Sequence, residues 1–129
     1  MSLDVAPELL DQAERGEIDE AAFVATVRRS LPYAYALIER VSTEAKAGAA
    51  PFADNQVPPP SEAERGQLLR ALASDAIRGS LERHFGVRLA FQNCHRVAAF
   101  GVDADPAVRA EFTSIRSQVL NQSPLLRDC

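Results

Sequence analysis

Val87-Arg88-Leu89-Ala90-Phe91-Gln92-Asn93-Cys94-His95-Arg96-Val97-Ala98-Ala99-Phe100-Gly101-Val102 is the stretch on which the fold turns. Val87, Leu89 and Phe91 alternate with Arg88, Ala90 and Gln92, the period of two that a strand with one buried face produces. After Asn93-Cys94-His95 the run from Val97 to Val102 is apolar again. A short β-hairpin with its turn near Gln92 to His95 fits this pattern. A buried helix fits it as well, because a short apolar run does not fix its own period.

On either side of this stretch the spacing is helical. Upstream, Ser61-Glu62-Ala63-Glu64 is a capping box, in which two free N–H groups of a first turn are satisfied reciprocally. The helix it opens is expected to run unbroken to His84. Leu68, Leu72, Ala76, Ile77, Leu81 and Phe85 keep the three-four spacing, Asp75–Arg78 and Arg78–Glu82 can pair on the wet face, and Gly86 is the stop. Downstream, Asp105 caps a last helix with Pro106 in its first position, and Asp105 can also pair with Arg109. Val108, Phe112, Ile115 and Val119 form its apolar face. Asn121 ends it, and the tail 122–129 is expected to fray.

Nearer the N-terminus, a first helix is expected from about Asp4 to Arg15, stopped by Gly16. Val5, Leu9, Leu10 and Ala13 lie on one side of it. Asp19 caps a second helix, with Ile18 and Phe23 spaced as a hydrophobic staple. Pro32 cannot donate to the carbonyl one turn back, so a break is expected at Ser30-Leu31-Pro32, with Ser30 as a new cap. A third helix then runs to about Lys46 and ends at Gly48. Residues 47–60 read as a long loop ending in three prolines, a length usually functional or loosely ordered. Phe52 and Val57 are its large apolar residues. They either pin the loop to the core or form a partner-binding arm.

The fold class expected is therefore mainly α: a bundle of four to five helices with a short β-hairpin near residues 87–102. The 129 residues suit one domain, with a flexible loop at 47–60. With 47% hydrophobic and 25% charged residues, a net charge of -4 and two cysteines, the chain is neither a disordered acidic tail nor a disulfide-dense scaffold. That charge also argues against a generally basic nucleic-acid coat. The longest apolar run, Leu31 to Ile38, is far short of the roughly twenty residues of a membrane span. Met1-Ser2-Leu3-Asp4 lacks the basic and apolar regions of a secretory leader, so the expected location is the cytoplasm, with free thiols. Lys46 is the sole lysine among 14 basic residues. That bias, with abundant alanine, suits a GC-rich bacterial genome.

Gln92-Asn93-Cys94-His95-Arg96 is the densest polar cluster within the apolar stretch. A thiol beside positive charge can have a lowered pKa and act as a nucleophile, which makes Cys94, with His95 or His84 as base, the candidate catalytic set. Neighbours on a strand point to opposite faces, however, so Cys94 and His95 meet only if a turn brings them together. The plainer reading is a turn holding a half-buried thiol and a hydrogen-bonded histidine. His84, His95, Cys94 and Cys129 have no metal-ligand spacing, and the scattered glycines form no phosphate loop, so no metal and no cofactor are expected. The acid pairs Glu62/Glu64 and Asp103/Asp105 sit at helix starts, where the helix dipole favours them.

Residues 71–86, Ala-Leu-Ala-Ser-Asp-Ala-Ile-Arg-Gly-Ser-Leu-Glu-Arg-His-Phe-Gly, resemble the helix-turn-helix of TetR-type repressors, in which an Ala-Leu-Ala helix precedes a Gly-Val-Ser turn and a recognition helix ending His-Phe-Gly. The likeness covers about sixteen of the 129 residues. It implies a DNA-contacting role for Arg78, Ser80 and Arg83. The Gly-Val-Ser turn is missing, so the two halves are expected to run on as one helix, and Glu82 takes the place of a common tyrosine.

The function expected is a small non-catalytic regulatory or protein-interaction module, a homodimer or the binder of another protein, with no nucleic-acid or membrane partner. A thiol-dependent enzyme or redox sensor using Cys94 is the alternative. A DNA-binding regulator using residues 71–86 is the second.

Overall fold

A computed structural model describes residues 2–48 and 50–122. The decisive stretch is a hairpin. Strands β2 (Val87–Gln92) and β3 (Arg96–Gly101) pair antiparallel, with Val87 opposite Gly101 and Gln92 opposite Arg96. At the turn Asn93 and Cys94 both take positive φ, 59° and 47°, and the His95 N–H closes onto the Gln92 carbonyl at 3.4 Å. Two consecutive positive φ values match the twist of the flanking strands, which is why such turns join hairpins. The loop 47–60 supplies a third strand, β1 (Ala53–Asp54), which pairs with β3 on the side away from β2.

Seven helices are described: α1 (Pro7–Arg15), α2 (Glu20–Ser30), α3 (Pro32–Ala47), α4 (Glu62–Leu72), α5 (Asp75–Phe85), α6 (Pro106–Phe112) and α7 (Ile115–Leu120). Several boundaries follow from side chains that the sequence marks. Asp19 accepts from the Ala21 N–H, Ser61 from the Glu64 N–H and Asp105 from the Ala107 N–H. Gly16, Gly48 and Gly86 end α1, α3 and α5 in the left-handed conformation. The break at Pro32 is present, but Ser30 does not cap α3. Its hydroxyl accepts from the Asp4 N–H, while Gln67 on α4 accepts from the N–H groups of Tyr33 and Ala34 at 2.7 and 3.2 Å. A distant side chain therefore caps α3 and fixes α4 against it.

Two expected helices are each broken in two. The helix from Ser61 stops at Leu72 and restarts at Asp75, because the Ser74 hydroxyl accepts from the Ile77 N–H as a fresh cap. Glu82 does not pair with Arg78 and instead accepts the β2 N–H of Leu89 at 2.8 Å. The last helix stops at Phe112. Thr113 and Ser114 hydroxyls donate back to the carbonyls of Arg109 and Glu111, and Ser114 then caps α7 through the Ser117 N–H. Such back-bonding competes with continuation of the helix. These breaks account for seven helices where four or five were expected.

The chain is mainly α with a small antiparallel sheet: α2, α3, α4 and α5 pack on one another and lie against one face of the sheet, and α6 with the loop lies against the other. Val87, Leu89, Val97 and Ala99 face α2, α3, α4 and α5, meeting Val27, Ile38, Val41, Leu68 and Leu81 in the main core. Ala90, Ala98 and Phe100, on the opposite face, meet Phe112 of α6 and the loop residue Phe52. Strands buried on both faces lose strict alternation, which explains the continuous run Val97 to Phe100. Among the described residues no helix is long and apolar enough to cross a membrane. Cys129 and the tail from residue 123 lie outside the described residues.

Candidate functional site

The turn of the hairpin lies beside β1 and α7, and the contacts among them define a polar cleft. Asn55, 5% exposed, holds the loop to β3 from both ends of its amide: it donates to the His95 carbonyl at 2.7 Å and accepts from the Val97 N–H at 2.8 Å. Asp54 accepts from Arg96 Nε at 2.6 Å, and the Arg96 guanidinium lies 5.0 Å from the centre of the Phe112 ring. Gln92 donates to the Phe112 carbonyl and the Ser117 hydroxyl, and Asn93 donates to the Asn121 carbonyl. These bonds dock α7 on the turn through polar groups. The cleft, of about 300 Å³, is lined by Asp54, Asn55, Asn93, His95, Arg96 and Asn121.

The candidate catalytic residues do not assemble there. Cys94 is disulfide-bonded, and a bonded sulfur is not the thiolate that a nucleophile requires. His95 is 7% exposed and is not the hydrogen-bonded histidine of the plainer sequence reading, since both ring nitrogens are buried without a partner. Burial pushes its pKa below the ordinary histidine value, and the positive charge of Arg65 adds to the shift. His84 precedes β2, whereas Cys94 and His95 follow it. A six-residue strand separates them by roughly 20 Å. The His84 ring lies instead beside Phe85, with Nε2 3.4 Å from the Tyr35 hydroxyl. Among the described residues no three His, Cys, Asp or Glu side chains converge on a metal position.

Phe52 and Val57, the two candidates on the loop, part company. The Phe52 ring centre lies 5.1 Å from that of Phe100 and 5.7 Å from that of Phe112, so Phe52 pins the loop to the smaller core. Val57 is 73% exposed. The residues singled out by the repressor resemblance are engaged within the fold. Residues 71–86 are two helices joined at Ala73-Ser74, not one. Arg78 donates to the Leu72 carbonyl and to Asp75, Ser80 is buried, and Arg83 donates to Glu20 at 2.7 Å.

An apolar groove was not anticipated. It has a volume of about 530 Å³ and runs between α6, α7 and the loop, lined by Phe52, Val108 and Phe112 with Arg96 and Glu111 among its polar residues. Beside it α7 buries nothing. Ile115, Val119 and Leu120 are 85%, 64% and 62% exposed. The sequence had placed Ile115 and Val119 on a buried face continuous with Phe112, and the break at Thr113-Ser114 turns that face outward.

A family model described as NucS shadow ORF matches residues 1–129, the whole chain, and the chain belongs to that family. The description names a reading frame and no activity. No curated protein and no solved structure matches the chain.

Proposed function

We propose that this member of the NucS shadow ORF family is a non-catalytic protein-interaction module whose partner is a second copy of itself. The observation that carries the reading is the exposed apolar trio Ile115, Val119 and Leu120 on α7, the helix whose other side, at Ser117 and Asn121, lines the groove of Phe52, Val108 and Phe112. Isolated exposed apolar residues are ordinary, but three on one short helix next to a concave apolar surface form a patch. The apolar residues and the groove lie on two sides of the same short helix. A twofold axis between two copies would seat each apolar trio in the other's groove, the self-complementary arrangement of an isologous dimer.

The two alternatives find less support. The thiol reading lacks a base for Cys94, since both His95 ring nitrogens are buried and the His84 ring lies against Phe85 beyond the strand. For nucleic acid, a backbone-gripping Gly-X-X-Gly loop is not formed by the glycines at 16, 48, 66, 79, 86 and 101. The net charge of -4 points the same way. The cytoplasmic location stays part of the proposal, and a reducing cytosol would open the disulfide at Cys94.

Light scattering over a dilution series tests the reading. A dimer mass at micromolar concentration is expected. The double substitution Ile115→Asp with Val119→Asp is expected to give a monomer of unchanged helical content, because neither side chain contributes to either core. A monomer at every concentration, or a dimer indifferent to both aspartates, would sink the proposal.

A further inference from the structure

A second cleft, of about 480 Å³, lies between the far end of the hairpin and α6, and its lining includes Arg88, Phe100, Asp105, Arg109 and Thr113. Arg88 stands on β2 opposite Phe100, and Arg109 reaches the same space from α6. Neither guanidinium takes part in an ion pair among the described residues, a state they share with Arg28, Arg29, Arg40 and Arg70, which do not line the cleft. Arg109 is the sharper case. Its Nε is buried and has no acceptor. Native structures pair nearly all such donors, and this one belongs to a residue that lines the cleft.

The neighbouring groups do not supply an acceptor. Asp105 has the spacing for a pair with Arg109, as the sequence suggested, but its Oδ1 accepts from the Ala107 N–H as the cap of α6 and no ion pair to Arg109 forms. The Thr113 hydroxyl donates to the Arg109 and Ala110 carbonyls. Two arginines therefore line one space, and the Asp105 carboxylate that also lines it forms an ion pair with neither.

We propose that this cleft binds a small molecule through an oxyanion, a phosphate or carboxylate group held by Arg88 and Arg109. Guanidinium forks match the oxygen spacing of both groups and bind them by charge-assisted pairs. The volume exceeds that of the anion alone. Phe100 with Ala104, Pro106 and Ala110 offers apolar wall to the rest of the ligand. The site lies apart from the apolar groove, so it stands or falls independently of the dimer.

The test is a titration of the full chain in Tris chloride at constant ionic strength with inorganic phosphate and, separately, with acetate, followed by the NMR signal of Arg109 Nε–Hε. Saturable movement of that signal by phosphate is expected. Movement by acetate but not by phosphate would keep the oxyanion site and assign it to carboxylates. Arg88→Gln and Arg109→Gln are each expected to weaken binding about tenfold, the worth of one charge-assisted bond. Arg29→Gln, an unpaired exposed arginine on α2, is expected to leave it unchanged. If Arg109→Gln does not fold, the titration of the unaltered chain with Arg88→Gln decides. An Arg109 signal that neither anion moves, or equal weakening in the Arg29 variant, would overturn the proposal.

Discussion

The two faces of the sheet are built to different depths. On one, four helices bring Val27, Ile38, Val41, Leu68 and Leu81, all essentially inaccessible, onto Leu89, Val97 and Ala99. On the other, Ala90, Ala98 and Phe100 are covered by Phe112, Phe52 and half-buried Val108. The deep face has the contacts of an interior. The thin face has one aromatic trio, an open groove and a helix whose apolar side looks outward. Apolar pattern alone does not distinguish them, because both α5 and α7 carry it. What differs is where the backbone breaks. At Ser74 the chain folds back and α5 stays buried, whereas at Ser114 it leaves the core and carries Ile115 and Val119 into solvent.

The largest expected effect comes from hollowing each face in turn. Leu81→Ala, on the deep face, is expected to cost about 3 kcal/mol and to lower a single cooperative melt. Phe112→Ala removes a larger side chain, yet its global cost is expected to be smaller, about 1–2 kcal/mol, because the thin face can open locally. Hydrogen exchange separates the outcomes. In the Phe112 variant the amides of α6 and α7 should lose protection while β2 and β3 keep theirs. Uniform loss of protection would mean that both faces belong to one cooperative unit and that the contrast in depth has no energetic meaning.

The two serine caps sharpen the same comparison at a smaller scale. Ser74 and Ser114 make the same bond, to the N–H three residues on, at 3.2 and 3.0 Å. Ser74→Ala is expected to cost about 1 kcal/mol, the ordinary worth of an N-cap. Ser114→Ala is expected to shift the melting midpoint hardly at all, since α7 has no buried residue whose loss would be felt globally. Equal shifts would show that α7 is tied into the cooperative core through Gln92 and Asn93 more firmly than its exposure suggests.

These breaks also mark where the sequence stops being legible. The hairpin could be read because period-two alternation flanks a polar turn. The caps at Asp19, Ser61 and Asp105 could be read because each precedes an apolar run at helical spacing. The interruptions at Ala73-Ser74 and Thr113-Ser114 contain neither glycine nor proline. They depend on hydroxyl bonds and on tertiary partners, such as Glu82 holding Leu89 and Gln92 holding Phe112. The sites fared likewise. The position of Cys94 and His95 at a turn was visible. The isolation of the His95 ring was not, because burial of both its nitrogens is a tertiary outcome that no local spacing announces. The cleft of Arg88 and Arg109 joins elements whose pairing no local spacing announces.

The smallest expected effect is a pH effect, and it tests whether the turn between the two faces is held as described. His95 is buried with no acceptor for either ring nitrogen, and Arg65 adds repulsion to any positive charge there. Its folded pKa is therefore lowered, while in the unfolded chain it stays near the ordinary value of about 6.5. Between those two values the unfolded chain binds more protons than the folded one, so stability rises with pH. The contribution is fully present above about 6.5 and is lost as pH falls through the lowered folded value. The slope cannot exceed about 1.4 kcal/mol per pH unit, the worth of one proton. Melting from pH 7.5 down to 5.5 keeps above the range in which ordinary carboxylates titrate. Over that interval the midpoint of the unaltered chain should fall, and His95→Leu, which keeps the ring's place apolar and removes its proton, should flatten the curve. Parallel curves for the two proteins would mean that the His95 ring reaches solvent or finds a partner on protonation, and that the turn is looser than the bonds of Asn55 imply.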